Sequence, residues 1–183
     1  MPPPAALAEL EAVVAPQRIA WPGLGWTSEL EAAHITLAFL GEVDEARLAS
    51  LGTRLERAAD RHQSLSISIS GAGAFSSAAK ARVLWADLQC DRRALAALAG
   101  SVAAAARRAG APPPDERQRY RPHLTLARCQ QPADLRPLVQ ILRGFAGSAW
   151  TAGQVRLVRS QLGARPRYDT IGSWPLRPGT VRR

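Results

Sequence analysis

His34-Ile35-Thr36-Leu37-Ala38 and His123-Leu124-Thr125-Leu126-Ala127 are one phrase written twice, 89 residues apart. Each is short, apolar and β-prone, and each predicts a strand, the first over His34–Leu40 and the second over His123–Leu126. Side chains alternate along a strand, so His-x-Thr projects an imidazole and a hydroxyl from the same face. What surrounds the two copies also repeats. Ahead of the first, Pro4 opens a helix with Leu7, Leu10 and Val14 on one side; ahead of the second, Asp91 caps a helix with Leu95, Leu98 and Val102 inward and Arg107-Arg108 in its last turn before Gly110. From Pro4 to His34 is 30 residues, and from Asp91 to His123 is 32. After the first copy, Asp44 caps a helix carrying Leu48, Leu51 and Leu55. After the second, a helix from about Ala133 to Arg143 carries Leu135, Leu138 and Leu142, with Pro137 in its first turn, where a missing N–H costs little. Two strands close each half: Leu65–Ser70 and Val83–Leu88, then Val155–Arg159 and Tyr168–Trp174.

Self-similarity at this period implies duplication of a whole lobe. The expected architecture is α+β: a single bilobal domain over 1–183, with halves of roughly 1–88 and 89–183. Each pseudo-symmetric lobe is an antiparallel sheet with helices on its outer face, and the two His-x-Thr strands line a central cleft. Loops are expected at Pro16–Glu31, at the proline- and arginine-rich Ala111–Pro122, and at the basic turn Gly163–Arg167. The halves differ in one respect. The Asp91 helix follows a strand, Val83–Leu88, whereas the Pro4 helix follows none.

Composition narrows the class. A chain of 183 residues and 19.6 kDa is one domain's worth. No apolar run reaches the roughly 18 residues that span a bilayer. Met1-Pro2-Pro3-Pro4 has neither the basic start nor the apolar stretch of a secretory signal. Cys90 and Cys129 are too few for a disulfide framework or a four-cysteine zinc site, and are expected as free thiols in the cytoplasm. The charge is lopsided: 24 basic residues against 15 acidic give +9, and all but Lys80 of the basic residues are arginine. A basic, arginine-rich surface attracts polyanions, nucleic acid foremost.

Two histidines and two threonines suit acid–base chemistry on a phosphodiester. One imidazole must be neutral to accept a proton and the other protonated to give one, and an unperturbed pKa near 6.5 serves both roles. The hydroxyls can donate to non-bridging oxygens as charge builds there. Two histidines without a nearby carboxylate pair make a poor metal site. Cys129 lies six residues beyond His123, too far along the strand to partner it. His62, at a helix end, reads as a solvated residue suited to the dipole.

His34 through Gly41 and Tyr120-Arg121-Pro122-His123-Leu124-Thr125-Leu126-Ala127-Arg128 resemble the paired signatures of the two-histidine (2H) phosphoesterase superfamily. The chain is most similar to its bacterial and archaeal RNA 2′,3′-cyclic phosphodiesterases, also called 2′-5′ RNA ligase-like proteins. Arg82-Val83-Leu84-Trp85 and the closing strand from Tyr168 to Leu176 extend the likeness over nearly the whole chain. The resemblance implies a metal-free enzyme without cofactors that opens a terminal 2′,3′-cyclic phosphate to a 2′-phosphate, and that can join or cleave a 2′-5′ linkage without ATP. It implies His34 and His123 as catalytic residues, Thr36, Thr125 and Arg128 as phosphate-binding, and Arg121 near the phosphate. Arg119 and Arg165, with Arg117 and Arg167, are expected around RNA on the strength of charge alone. The residues leave open which imidazole is the acid; the resemblance inclines to His123 as base and His34 as acid. Family members usually begin with a short apolar strand, whereas this sequence begins with prolines: either the strand is lacking or the recorded start lies downstream of the real one.

The expected partner is RNA ending in a 2′,3′-cyclic phosphate or a 5′-hydroxyl, acted on by a monomer that binds no membrane. Two other readings remain: a non-catalytic RNA-binding module, for which charge alone would serve, and a phosphodiesterase acting on a small nucleotide. The duplicated His-x-Thr weighs against the first. Turnover of an RNA cyclic phosphate is expected to survive EDTA unchanged; loss in chelator, restored by one divalent ion, would overturn the metal-free expectation.

Overall fold

The computed structural model describes residues 1–27, 33–113, 120–161 and 167–179. In chain order the elements are α1 (Pro4–Ala20), β1 (Gly25–Trp26), α2 (Glu45–Ala59), β2 (Leu65–Phe75), a 3₁₀ turn at Ala78–Lys80, β3 (Ala81–Cys90), α3 (Arg92–Arg108), β4 (Leu124–Ala133), α4 (Arg136–Leu142), β5 (Trp150–Ala152), β6 (Gln154–Gln161) and β7 (Arg167–Pro175).

The helices begin where the capping residues place them. The Asp44 carboxylate accepts from the Ala46 N–H at 3.0 Å, and that of Asp91 accepts from the Ala94 N–H at 2.9 Å. Each satisfies a first-turn donor that has no partner within its helix. The expected apolar faces turn inward: Leu7, Leu10 and Val14 on α1, Leu51 and Leu55 on α2 with Leu48 only half-buried, Leu95, Leu98 and Val102 on α3, Leu138 and Leu142 on α4. Gly110 ends the α3 region at φ +76°, a conformation that side-chain-free glycine adopts without strain. The expected loop at Pro16 is instead helix. Pro16 removes one ladder bond, but α1 continues to Ala20, Trp21 N–H closes onto the Gln17 carbonyl at 2.9 Å, and Arg18 reaches Glu11 at 3.1 Å.

The chain forms two compact units, each drawn from both halves. The first comprises Met1–Thr36, Ser66–Cys90 and Pro122–Trp150; the second comprises Leu37–Leu65, Asp91–Arg121 and Thr151–Arg183. The first therefore holds α1 from the first half and α4 from the second, while the second unit holds α2 and α3. The expected halves, roughly 1–88 and 89–183, do not coincide with these units.

In the first unit a five-stranded sheet runs β1-β4-β3-β2-β5, with β1–β4, β4–β3 and β3–β2 antiparallel. Its core is Leu10, Ile67, Ile69, Leu84, Leu88, Leu124 and Leu126 with Leu135, Leu138 and Leu142. β2 outruns the expected Leu65–Ser70. It passes an irregularity between Ile69 and Ala72, where Gly71 takes φ +77°, and continues to Phe75. Glycine permits that step, so an alternating pattern that seems to stop at Gly71 does not stop the strand.

In the second unit β6 and β7 pair antiparallel, and α2 packs on them, with Trp174 touching Gly52. Leu51, Leu55, Leu95, Leu98, Val102 and Val155 are buried here. The chain after β7 returns to the α2–β2 connection, where Arg177 N–H donates to the His62 carbonyl at 2.9 Å and Ser64 N–H to the Arg177 carbonyl at 2.8 Å. His62 is not a solvated cap. Its Nε2 lies 2.8 Å from Ser101 Oγ on α3, and burial, with the Arg61 charge beside it, holds its pKa below the ordinary histidine value.

One strand expectation fails. Residues 33–40 carry the first copy of the phrase in irregular backbone, whereas β4 carries the second. β4 lies between β1 and β3, and both its ladders are made; among the described residues no strand pairs along 33–40. β propensity without a ladder does not fix a strand.

Removal of a cap carboxylate leaves its N–H without an intramolecular partner. Asp91→Ala is expected to cost about 1 kcal/mol, measured as a lower urea midpoint at unchanged m-value; an unchanged midpoint would show the cap to be idle.

Candidate active site

β4 is the element that positions the second phrase. Leu124 and Leu126 are 0% and 1% exposed and point into the core of the first unit. Alternation then turns His123, immediately before the strand, and Thr125 to the opposite face, where both are half-buried. The register fixes what stands beside them. Thr125 faces Trp85 on β3, and Trp85 faces Gly73 on β2. Directly opposed residues share a face, so Thr125, Trp85 and Gly73 form one row. Phe75 lies two residues beyond Gly73, and His123 two before Thr125.

Aromatic rings close around the imidazole. Phe75 meets His123 edge-on, with ring centroids 4.8 Å apart and planes at 88°, and Trp85 approaches at 6.3 Å and 62°. Phe75 and Trp85 touch each other at 5.5 Å. Edge-to-face contacts at these separations are attractive, and two of them from different strands limit how the ring can turn. Gly73 is what admits Trp85. A Cβ there would lie 2.9 Å from Cε2 of the indole and closer still to Cζ2 and Cη2.

On the other side β4 is held by β1. Gly25 pairs with Arg128 and Trp26 with Ala127, Thr27 N–H donates to the Leu126 carbonyl at 2.9 Å, and Thr27 Oγ1 donates to the Thr125 carbonyl at 3.2 Å. A Cβ on Gly25 would stand 2.8 Å from the Arg128 carbonyl oxygen, so this approach also depends on glycine. The backbone of Thr125 is thus tied down while its side chain keeps its own face.

His34 and Thr36 belong to the same compact unit as His123, Thr125 and Arg128. His34 is half-buried and Thr36 exposed. Arg128 is an exposed residue of β4 and Arg121 an exposed residue of the second unit, as is Arg167 at the start of β7. Arg117, Arg119 and Arg165 lie outside the described residues. Cys90 and Cys129 are free thiols, and burial pushes the Cys129 thiol up, away from the thiolate that a nucleophile needs. Among the described residues, no three His, Cys, Asp or Glu cluster as metal ligands would, and no helix is long and apolar enough to cross a membrane. Phe75 and Gly73 are site residues that sequence reasoning misses. The signal for them is the Gly71-x-Gly73-x-Phe75 spacing, which marks a strand passing a bulge.

A family model described as the 2′-5′ RNA ligase superfamily matches residues 2–164. An RNA 2′,3′-cyclic phosphodiesterase of Aeropyrum pernix is 37% identical over 150 residues, 79% of this chain and 82% of that one. A protein of the same name from Geobacillus stearothermophilus is 30% identical over 82% of this chain; the match spans 47% of that longer protein. Among solved structures, TT0787 of Thermus thermophilus superposes with a TM-score of 0.72 at 27% identity, covering 95% of this chain and 91% of that one. Apo LigT of E. coli gives 0.74 at 21% identity over 96% and 92%, a likeness of fold.

Crowding Trp85 should disturb His123 without touching it chemically. Gly73→Val is expected to destabilise by about 1–3 kcal/mol, as overpacking does, and to shift the His123 ring resonances in NMR spectra. His123 signals left in place would show that Trp85 does not position the imidazole.

Proposed function

Since the chain belongs to the 2′-5′ RNA ligase superfamily, we propose that it is an RNA 2′,3′-cyclic phosphodiesterase working by acid–base catalysis between His34 and His123. The observation that carries the reading is the doubled His-x-Thr phrase, whose two histidines fall in one compact unit. The names of the Aeropyrum and Geobacillus relatives support the substrate class. In this reading the duplication is functional: one histidine from each copy serves a single phosphate.

The step balances without a metal or a cofactor. Neutral His123 takes a proton from water as the oxygen attacks phosphorus in line with the 3′ oxygen. The bond from phosphorus to that 3′ oxygen breaks, protonated His34 gives it a proton, and the phosphate stays on the 2′ oxygen. Thr36, Thr125 and Arg128 hold the non-bridging oxygens, on which charge rises in the transition state. The same path run forward, with a 5′-hydroxyl entering in place of water, is 2′-5′ joining. Phe75 and Trp85 serve as positioning residues: they set the imidazole's orientation and exclude water from one side of it. Arg121, with Arg119 and Arg165, meets the RNA backbone beyond the reacting end. The protein acts as a cytoplasmic monomer.

The test is product analysis with RNA ending in a 2′,3′-cyclic phosphate, where a 2′-phosphate is the expected product and a 3′-phosphate would overturn the proposed direction of opening. His34→Ala or His123→Ala is expected to lower kcat by about 10²- to 10⁴-fold, the usual worth of one positioned acid or base. Thr36→Val or Thr125→Val should cost about 10- to 10³-fold, near the value of a missing oxyanion donor. A better leaving group at the 3′ position should rescue His34→Ala and not His123→Ala. Near-wild-type rates in both histidine variants would leave a phosphate-binding site without chemistry.

A further inference from the structure

Four arginines meet where no feature of the proposed chemistry needs them. Arg54, Arg57 and Arg61 stand at i, i+3 and i+7 along α2 and the turn after it, and Arg108 stands in the last turn of α3. With Ala105 they line a shallow groove of about 210 Å³ within the second unit. Ala105 is its buried floor; Arg54 is half-buried, and the other three guanidinium groups are exposed.

Two bland explanations fall short. A basic residue in the last turn of a helix complements the helix dipole, which covers Arg57 and Arg108 but not Arg54, set further back, or Arg61, beyond the helix. Nor do surface ion pairs neutralise the group. Ion pairs take Arg18, Arg136, Arg159 and Arg177. Arg54 donates from Nε to Ser50 Oγ at 3.3 Å, a neutral contact. Of the nearby acids, Asp60 is held by Arg177 at 3.1 Å, with a lesser pull from the Arg61 charge, and neither it nor Glu56 lines the groove. Four like charges around one concavity repel one another until an anion enters.

We propose that this groove is a second RNA site, which holds internal backbone phosphates of the same strand whose end is processed. It rests on the RNA reading above. Guanidinium forks suit phosphate oxygens. Arg54 and Arg57 stand one helical turn apart, about 5 Å along α2, and Arg61 follows in the turn after it, a row suited to successive phosphates along a strand. No aromatic side chain lines the groove, so it offers bases no stacking surface, and it reads charge rather than sequence. The site distinguishes a long substrate from a mononucleotide cyclic phosphate, which has no internal phosphate to offer.

The test is Arg57→Gln/Arg61→Gln, checked for fold by circular dichroism. Binding of a single-stranded RNA with a plain 3′-hydroxyl end is followed by fluorescence anisotropy across a salt series. Each phosphate that arginine no longer neutralises lowers the slope of log K against log salt by about 0.7, so the double variant should fall short of the wild type by about 1.4. Its ratio of kcat/KM for an oligonucleotide cyclic phosphate over that for a mononucleotide should fall about tenfold at physiological salt. An unchanged slope and ratio would overturn the proposal. So would loss of binding to phosphatidylserine vesicles with RNA binding intact, which would make the groove a membrane-binding surface. If the wild type opened no cyclic phosphate, the catalytic reading would fall, and the salt slope would still decide whether the groove binds RNA.

Discussion

Trp85 can lie against His123 only because the residue across the ladder from it has no side chain. Gly73 leaves the space that the indole fills, and the indole in turn stands beside both Thr125 and the imidazole. Much else depends on β3. It is the strand that joins β2 to β4, so the register that opposes Trp85 to Gly73 also opposes it to Thr125. A slip of one residue would send Trp85 to the other face and Leu84 out of the core. The leucines of β4 exclude that slip, because burying Leu124 and Leu126 commits His123 and Thr125 to the opposite side. Hydrophobic burial of the β4 leucines therefore sets which face the histidine takes.

The compact units are not the repeats. Each takes segments from both halves of the chain, so neither half can complete a unit before the other is made. Pairings such as Gly25 with Arg128, and the bond from Arg177 to His62, join residues more than 100 positions apart. Such long-range contacts slow folding and make it cooperative. They also bear on the chemistry. The two histidines of the proposed reaction, one from each half, share a unit that needs segments of both halves.

Local signals are legible in the sequence. Asp44 and Asp91 read as caps and accept the expected bonds, and the apolar spacings on α1 to α4 turn the expected residues inward. Leu124 and Leu126 fix the face of the second phrase. What depends on partners is not legible. His34–Ala38 repeats the pattern of His123–Ala127, but among the described residues no strand pairs with it; Phe75 lies beyond a glycine that seems to end its strand; Pro16 reads as a breaker in a helix that tolerates it. His62 looks solvated because nothing nearby in sequence announces Ser101, 39 residues away. Propensity is a property of a segment, and pairing is a property of two, so one sequence read alone yields the first more readily than the second.

The arginines show the same division. By composition all are equivalent, and the net charge of +9 argues for a polyanion without saying where it sits. The structure separates them by what faces them. Those opposite carboxylates at 2.6 to 3.8 Å are largely neutralised where they stand. Those of the α2–α3 groove are in none of these pairs, and under the proposal above they supply the long-range field that draws an RNA strand in. Such contacts hold substrate and transition state equally, because the phosphates they meet do not change during the reaction. Binding of that kind lowers KM and leaves kcat alone, whereas groups on the reacting phosphate raise kcat. Substrate length and catalytic rate can then vary independently, since the residues that sense the one are not those that set the other.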